Sequence, residues 1–178
     1  EELEQNIMIP FKSLCSPNAS GILMSHARLS LSDSHTPACL SKYWVDDVLR
    51  KEFGYEGLVF SDDIFMAALQ ENGFPPEKAA VMAIEAGVDV IMLSEKRFAP
   101  IARILLNKAC EDESFSKLIE DAVVRIIKWK ISKNILELYK DSEGQWKIRP
   151  VEFGDSSGNM NDFLSALQEN IDLYRTYF

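Results

Sequence analysis

Two adjacent carboxylates, Asp62 and Asp63, follow the apolar run Gly57-Leu58-Val59-Phe60. A carboxylate at the end of a buried strand can be held by the sheet and aimed into a pocket as a catalytic group. Acidic residues there can equally cap the following helix, here one beginning near Ile64, by accepting its free N–H groups. Position alone divides the two readings evenly, with Asp63 the better cap and Asp62 the better catalytic candidate. His26 closes a second apolar run, Gly21-Ile22-Leu23-Met24. An imidazole so placed can bind a substrate hydroxyl or move a proton, or it can fix its own loop by a local hydrogen bond. A third group is Asp33-Ser34-His35, where a carboxylate two residues from an imidazole can raise its basicity and form an acid/base dyad. Two unrelated polar residues in a solvated loop are the commoner case.

The elements that must position these groups read as a βα repeat. A short helix fits Pro10 to Cys15, and Gly21–Met24 reads as a buried strand ending in Ser25-His26-Ala27-Arg28. Residues 30–38 are loop by composition. Ser41 can cap a helix with apolar positions Trp44, Val45, Val48 and Leu49, Asp46 and Asp47 in its first turns, and Gly54 as its stop. The strand Gly57–Phe60 leads into a helical stretch Ile64–Gln70, broken at Gly73-Phe74-Pro75-Pro76. A helix Glu77–Ala86 ends at Gly87, and a third strand, Val88–Leu93, closes in Ser94-Glu95. Two helices fit 97–110 and 114–134, the second with the stripe Phe115, Leu118, Ile119, Ala122, Val123, Ile126 and Ile127. Strand and helix alternate, so the fold class is α/β with parallel strands, and ligands are expected at their C-terminal ends. Two parts follow: 1–135 holds the βα units, and 136–178 is a tail or small helical appendage with an amphipathic helix near Asn161–Tyr174.

Composition narrows the function classes. The 178 residues carry 28 acidic and 19 basic side chains, a formal charge of −9, with 47% apolar and 26% charged types. That balance excludes wholesale disorder, and the negative field disfavours nucleic acid and anionic membranes as partners. No apolar run approaches the ~20 residues of a bilayer span. The chain opens Glu1-Glu2 without a signal-peptide pattern, so it is expected to be a processed product or an excerpt. Cys15, Cys39 and Cys110 are widely spaced and only two histidines exist, which argues against a zinc site. Buried free thiols in a reducing compartment, the cytoplasm, are the expectation.

The stretch from His26 to Leu69 resembles glycoside hydrolase family 3, in its β-N-acetylglucosaminidase branch. The likeness rests on Met24–His26, on Pro37-Ala38-Cys39-Leu40-Ser41, and on Leu49-Arg50-Lys51-Glu52-Phe53-Gly54-Tyr55-Glu56-Gly57. It is closed by the full signature Phe60-Ser61-Asp62-Asp63-Ile64-Phe65-Met66. Ala86–Leu93 and Ile119–Lys130 also follow the family's order, so the likeness covers roughly residues 8–135.

The resemblance implies part of a TIM (β/α)8 barrel and a retaining glycosidase with Asp62 as nucleophile and His26 and Met66 at the substrate. Asp63, where glucosidase relatives carry Trp, points to terminal β-linked N-acetylglucosamine on cell-wall-type glycosides. No metal or organic cofactor is called for, because carboxyl and imidazole groups suffice. A whole barrel has eight βα units in ~250 residues. This chain is expected to supply three, the sixth to eighth, without the loop that carries the acid/base histidine in relatives. Asp33-Ser34-His35 follows the strand Ile22–Met24, whereas that loop precedes it, so an ordinary loop is expected there. Open sheet edges call for a partner: the missing N-terminal half, a second copy, or the 140–178 segment. The competing readings are a β-glucosidase and a non-catalytic fragment that binds or assembles.

Overall fold

The computed structural model describes residues 8–15, 19–29, 35–94 and 98–151. The chain divides into two compact units, Glu1–Lys133 and Asn134–Phe178.

The first unit is built on a three-stranded parallel sheet in the order β1-β2-β3, with β1 at Gly21–Met24, β2 at Leu58–Asp63 and β3 at Val90–Met92. These strands form where apolar runs meet turn residues, as the sequence predicts for β1. β2 runs further than expected, because its polar end Ser61-Asp62-Asp63 stays in the ladder: Met24 lies opposite Ser61, and Asp63 opposite Met92. β3 is shorter than Val88–Leu93. Only the central strand is well covered; β1 alternates exposed and half-buried residues, with Leu23 52% exposed.

Helices flank the sheet: α1 (Ile9–Leu14), α2 (Ala67–Gln70), α3 (Pro76–Ala86), α4 (Phe98–Glu111) and α5 (Glu113–Ser132). Between β1 and β2 lie a 3-10 turn, Ala38–Leu40, and a π-helix, Tyr43–Glu52. The segment expected to be an ordinary helix capped by Ser41 thus starts later, with Lys42 at its N-cap and no side-chain capping bond from that residue. Its wider turns are closed by the Phe53 N–H donating to the Val48 carbonyl at 2.9 Å. Val45, Val48 and Leu49 still reach the core, since their spacing serves either helix.

The core joins Cys39, Val45, Leu49, Val59, Ile64, Leu69 and Val88 to the small side chains Ala79, Ala80 and Ala83 of α3, which let that helix pack closely. Gly87 ends α3 at φ 101, a left-handed conformation in which a side chain is strained. Asp112 caps α5, its carboxylate accepting from the N–H groups of Ser114 and Phe115.

In the second unit β4 (Leu136–Lys140) pairs antiparallel with β5 (Trp146–Pro150). The turn is held by Asp141 Oδ1, which accepts from the N–H groups of Glu143 and Gln145, and Arg149 pairs with Glu137 at 2.6 Å. Residues 136–150 are therefore a hairpin, in place of the expected tail or helical appendage. The amphipathic helix expected near Asn161–Tyr174 lies outside the described residues.

Candidate active site

The C-terminal ends of the three strands bring together His26, Asp62, Asp63, Met66 and Ser94. Their arrangement begins with an irregularity in β2. Phe60 pairs with Val90 and Asp63 with Met92, so the two residues Ser61 and Asp62 face only Ile91. This is a β-bulge, a device that breaks the strict alternation of a strand and re-aims a side chain. The ladder bond it displaces is replaced by a side chain: buried Ser61 accepts the Met92 N–H on Oγ at 3.0 Å.

Asp62, inside the bulge, is half-buried. Its Oδ1 accepts the Asp63 N–H at 2.8 Å. Its other oxygen has no partner among the described residues. A carboxylate anchored by one oxygen and open at the other can attack an electrophilic carbon.

Asp63 does not cap the helix that follows, whose N-cap is Met66 without a side-chain capping bond. Asp63 Oδ1 accepts from the Phe65 N–H at 3.1 Å and the Ser94 N–H at 3.0 Å, tying the ends of β2 and β3 together. The helix expected from Ile64 starts only at Ala67, after a turn in which the Met66 N–H donates to the Asp63 carbonyl at 3.2 Å. Burial alone would raise the Asp63 carboxyl, but hydrogen bonds from Ser94 and Phe65, with the nearby His26, outweigh it and hold it below the usual value.

His26 is fixed on both sides. Nε2 lies 3.0 Å from the Asp63 carbonyl oxygen, and Nδ1 lies 3.1 Å from Cys39 Sγ. The geometry therefore displays the local hydrogen bond that was one of the two readings of this residue. Cys39 is fully buried in the 3-10 turn, close enough to Asp62 for the Asp62 main chain to draw its thiol down against the rise that burial causes. Met66 is 42% exposed beside this group. His35 is exposed, and Asp33 and Ser34 lie outside the described residues.

Cys39 and Ser61 are site residues that the sequence does not single out. Ser61 carries a local signal, being the first polar residue of the strand end. Cys39 carries none, because its link to His26 exists only in the folded chain. Among the described residues no group of three or more His, Cys, Asp or Glu side chains is placed to hold a metal ion, and no helix is long and apolar enough to cross a membrane.

At the opposite, N-terminal ends of the strands the buried Asp89 carboxylate accepts from Arg50 at 2.6 Å, from Arg125 at 2.5 Å and from the Val59 N–H at 2.8 Å. Arg50 also donates to the carbonyls of Tyr55 and Gly57. This array holds the base of the sheet, away from the bulge.

Known proteins share this arrangement of sequence and fold. The chain is 43% identical over 91 residues to a β-hexosaminidase of Alkalilimnicola ehrlichii, covering 51% of this chain and 26% of that one. A β-hexosaminidase of Haemophilus influenzae is 36% identical over 167 residues, 93% of this chain and 46% of its own. The crystal structure of the β-N-acetylhexosaminidase from Beutenbergia cavernae superposes with a TM-score of 0.62 at 32% identity, covering 67% of this chain and 36% of that one. The chain thus spans between a quarter and a half of the length of these curated relatives. Its parallel strands and flanking helices are part of a TIM-barrel-like α/β fold. Residues 1–129 match the family described as "Glycosyl hydrolase family 3 N terminal domain", and to that family the chain belongs.

Proposed function

We propose that the protein hydrolyses terminal β-linked N-acetylglucosamine from cell-wall-type glycosides with retention of configuration, and that Asp62 is its nucleophile. The observation that carries this reading is the Asp62 carboxylate itself. It sits in a bulge at the C-terminal end of a barrel strand, with one oxygen anchored and the other open. In the first step that oxygen bonds to the anomeric carbon as the glycosidic bond breaks, and an acid elsewhere protonates the leaving oxygen. Water then opens the glycosyl ester and releases the sugar and the carboxylate. The relatives, a β-hexosaminidase in two bacteria and a β-N-acetylhexosaminidase in a third, support the sugar class.

Met66, exposed in the turn that follows Asp63, and the ring edge of His26 are the proposed substrate contacts. The acid/base group is assigned to a part of the protein beyond this chain, which we read as the sixth to eighth βα units within residues 1–135. The poorly covered β1 and β3 edges suit pairing with the remaining strands of the barrel or with a second copy. Cysteines without disulfides suit a reducing compartment such as the cytoplasm.

The test uses the whole protein and a chromogenic β-N-acetylglucosaminide. Asp62→Asn should reduce turnover by at least about a thousandfold with the fold intact. A fluorinated N-acetylglucosaminyl mechanism-based reagent should add one sugar mass, mapped to Asp62. A normal Asp62→Asn enzyme, or an adduct elsewhere, would remove the assignment. An α-anomer as the first product would remove the retaining mechanism.

A further inference from the structure

The contacts around His26 link Cys39 to the main chain of Asp62 and Asp63. Nε2 faces the Asp63 carbonyl oxygen, which can only accept, so this nitrogen bears the proton. Nδ1 of the neutral ring is then an acceptor, and it faces Cys39 Sγ. Burial pushes the Cys39 thiol up to about 12; the Asp62 main chain draws it down a little, and the Asp62 charge adds to the rise. The sulfur therefore keeps its hydrogen at neutral pH and can give it to Nδ1. The contacts run from Cys39, close to the Asp62 main chain, to His26, and from His26 to the Asp63 carbonyl.

We propose that Cys39 and His26 are positioning residues that clamp the Asp62-Asp63 main chain from both sides and so fix the direction of the Asp62 carboxylate. The proposal rests on the reading of Asp62 as nucleophile. A bulge has a ladder bond missing at the point where the side chain must be aimed, so its main chain needs fastening from outside the sheet. Cys39 and His26 supply it, from the 3-10 turn and from the end of β1. Both ring nitrogens of His26 are then engaged by the protein, which suits a positioning role.

The experiment has two readouts. Nitrogen-15 NMR of the imidazoles in the whole protein should show His26 as the Nε2–H tautomer, with a slowly exchanging Asp62 amide. Cys39→Ala should leave that tautomer, which the Asp63 carbonyl fixes, but speed exchange of the Asp62 amide by about tenfold or more. In turnover, Cys39→Ala should lower kcat on the order of tenfold with KM within about twofold, because aim is lost rather than binding. Cys39→Ser, which keeps a donor and an acceptor, should restore most of both. If Cys39→Ala does not fold, Cys39→Ser decides alone: parental tautomer and kcat are the supporting result. An Nδ1–H tautomer in the parent, an unchanged Cys39→Ala enzyme, or Cys39→Ser as impaired as Cys39→Ala would overturn the clamp. A parent without glycosidase turnover would remove the hydrolase reading instead, and the tautomer would still decide the clamp.

Discussion

Ser61 Oγ accepts the main-chain N–H of Met92 at 3.0 Å, so a side chain of β2 completes the hydrogen bonding of β3 where the ladder slips. Ser61 is fully buried, and removing its hydroxyl takes the partner from the Met92 N–H. Ser61→Ala should therefore cost about 0.5–1.5 kcal/mol, read as a lower urea midpoint with an unchanged slope. A midpoint equal to the parent's would mean that the bulge does not depend on this bond.

Asp63 sets an acid limit. Its carboxyl is held below the usual carboxylate value of 3.8 in the folded chain. A lowered folded pKa gives stability that is fully present above the unfolded value and is lost as pH falls through the folded one. The stability curve of the parent should therefore bend downward below about pH 4. Asp63→Asn keeps an oxygen for Phe65 and Ser94 but cannot titrate, so its curve should be flatter over that window. Parallel curves for the two proteins would assign the acid limb elsewhere.

Asp89→Ala should destabilise the chain more than either of these substitutions. Its carboxylate is wholly buried, and its loss leaves two guanidinium groups facing one another across an empty site, together with the Val59 N–H. Breaking a buried pair from one side costs about 3–5 kcal/mol; Arg125 is partly exposed, which favours the lower end. Thermal unfolding of Asp89→Ala against the parent measures it, and a loss below about 1 kcal/mol would contradict the anchoring role.

Thiol reactivity distinguishes the three cysteines. Cys110 is exposed, whereas Cys15 and Cys39 are buried, with their thiols pushed up by that burial, Cys39 to about 12. Brief iodoacetamide treatment of the native chain at pH 8 should add a single adduct, on Cys110, and urea should expose all three. Early modification of Cys39 would show that the turn carrying it opens freely.

Much of the architecture is legible in the sequence because apolar runs bounded by turn residues have few alternatives in an α/β chain. β1 stands where Gly21–Met24 predicts it, and α3 ends at Gly87 as its sequence implies. β2 reads short because Ser61-Asp62-Asp63 looks like loop by composition. Its polar groups are paired by partners from β3 and by His26, which no local pattern announces. The bulge has no marker of its own, since an extra residue in one strand is defined only by its neighbour. The hairpin is within reach: Trp146-Lys147-Ile148-Arg149 alternates with period two, and Asp141 to Gly144 is turn chemistry. The long helical stripe just before it hides that signal. The Asp62 carboxylate is legible as a candidate; the pairing of Cys39 with His26 is not, because neither residue's spacing implies the other.

The Asp89 array lies at the base of the same strands whose upper ends carry Asp62. That separation bears on how the protein can evolve. Sites where strain, exposure and reactivity concentrate usually exchange stability for activity, so that gains in one erode the other. Here the strongest anchoring lies at the opposite end of the strands from Asp62, the proposed nucleophile, and substitutions at Arg50 or Arg125 should change how many molecules are folded without changing what each folded molecule does. Drift around Asp62 can then be buffered by reinforcement at the base, so that the two ends of the sheet can be tuned independently.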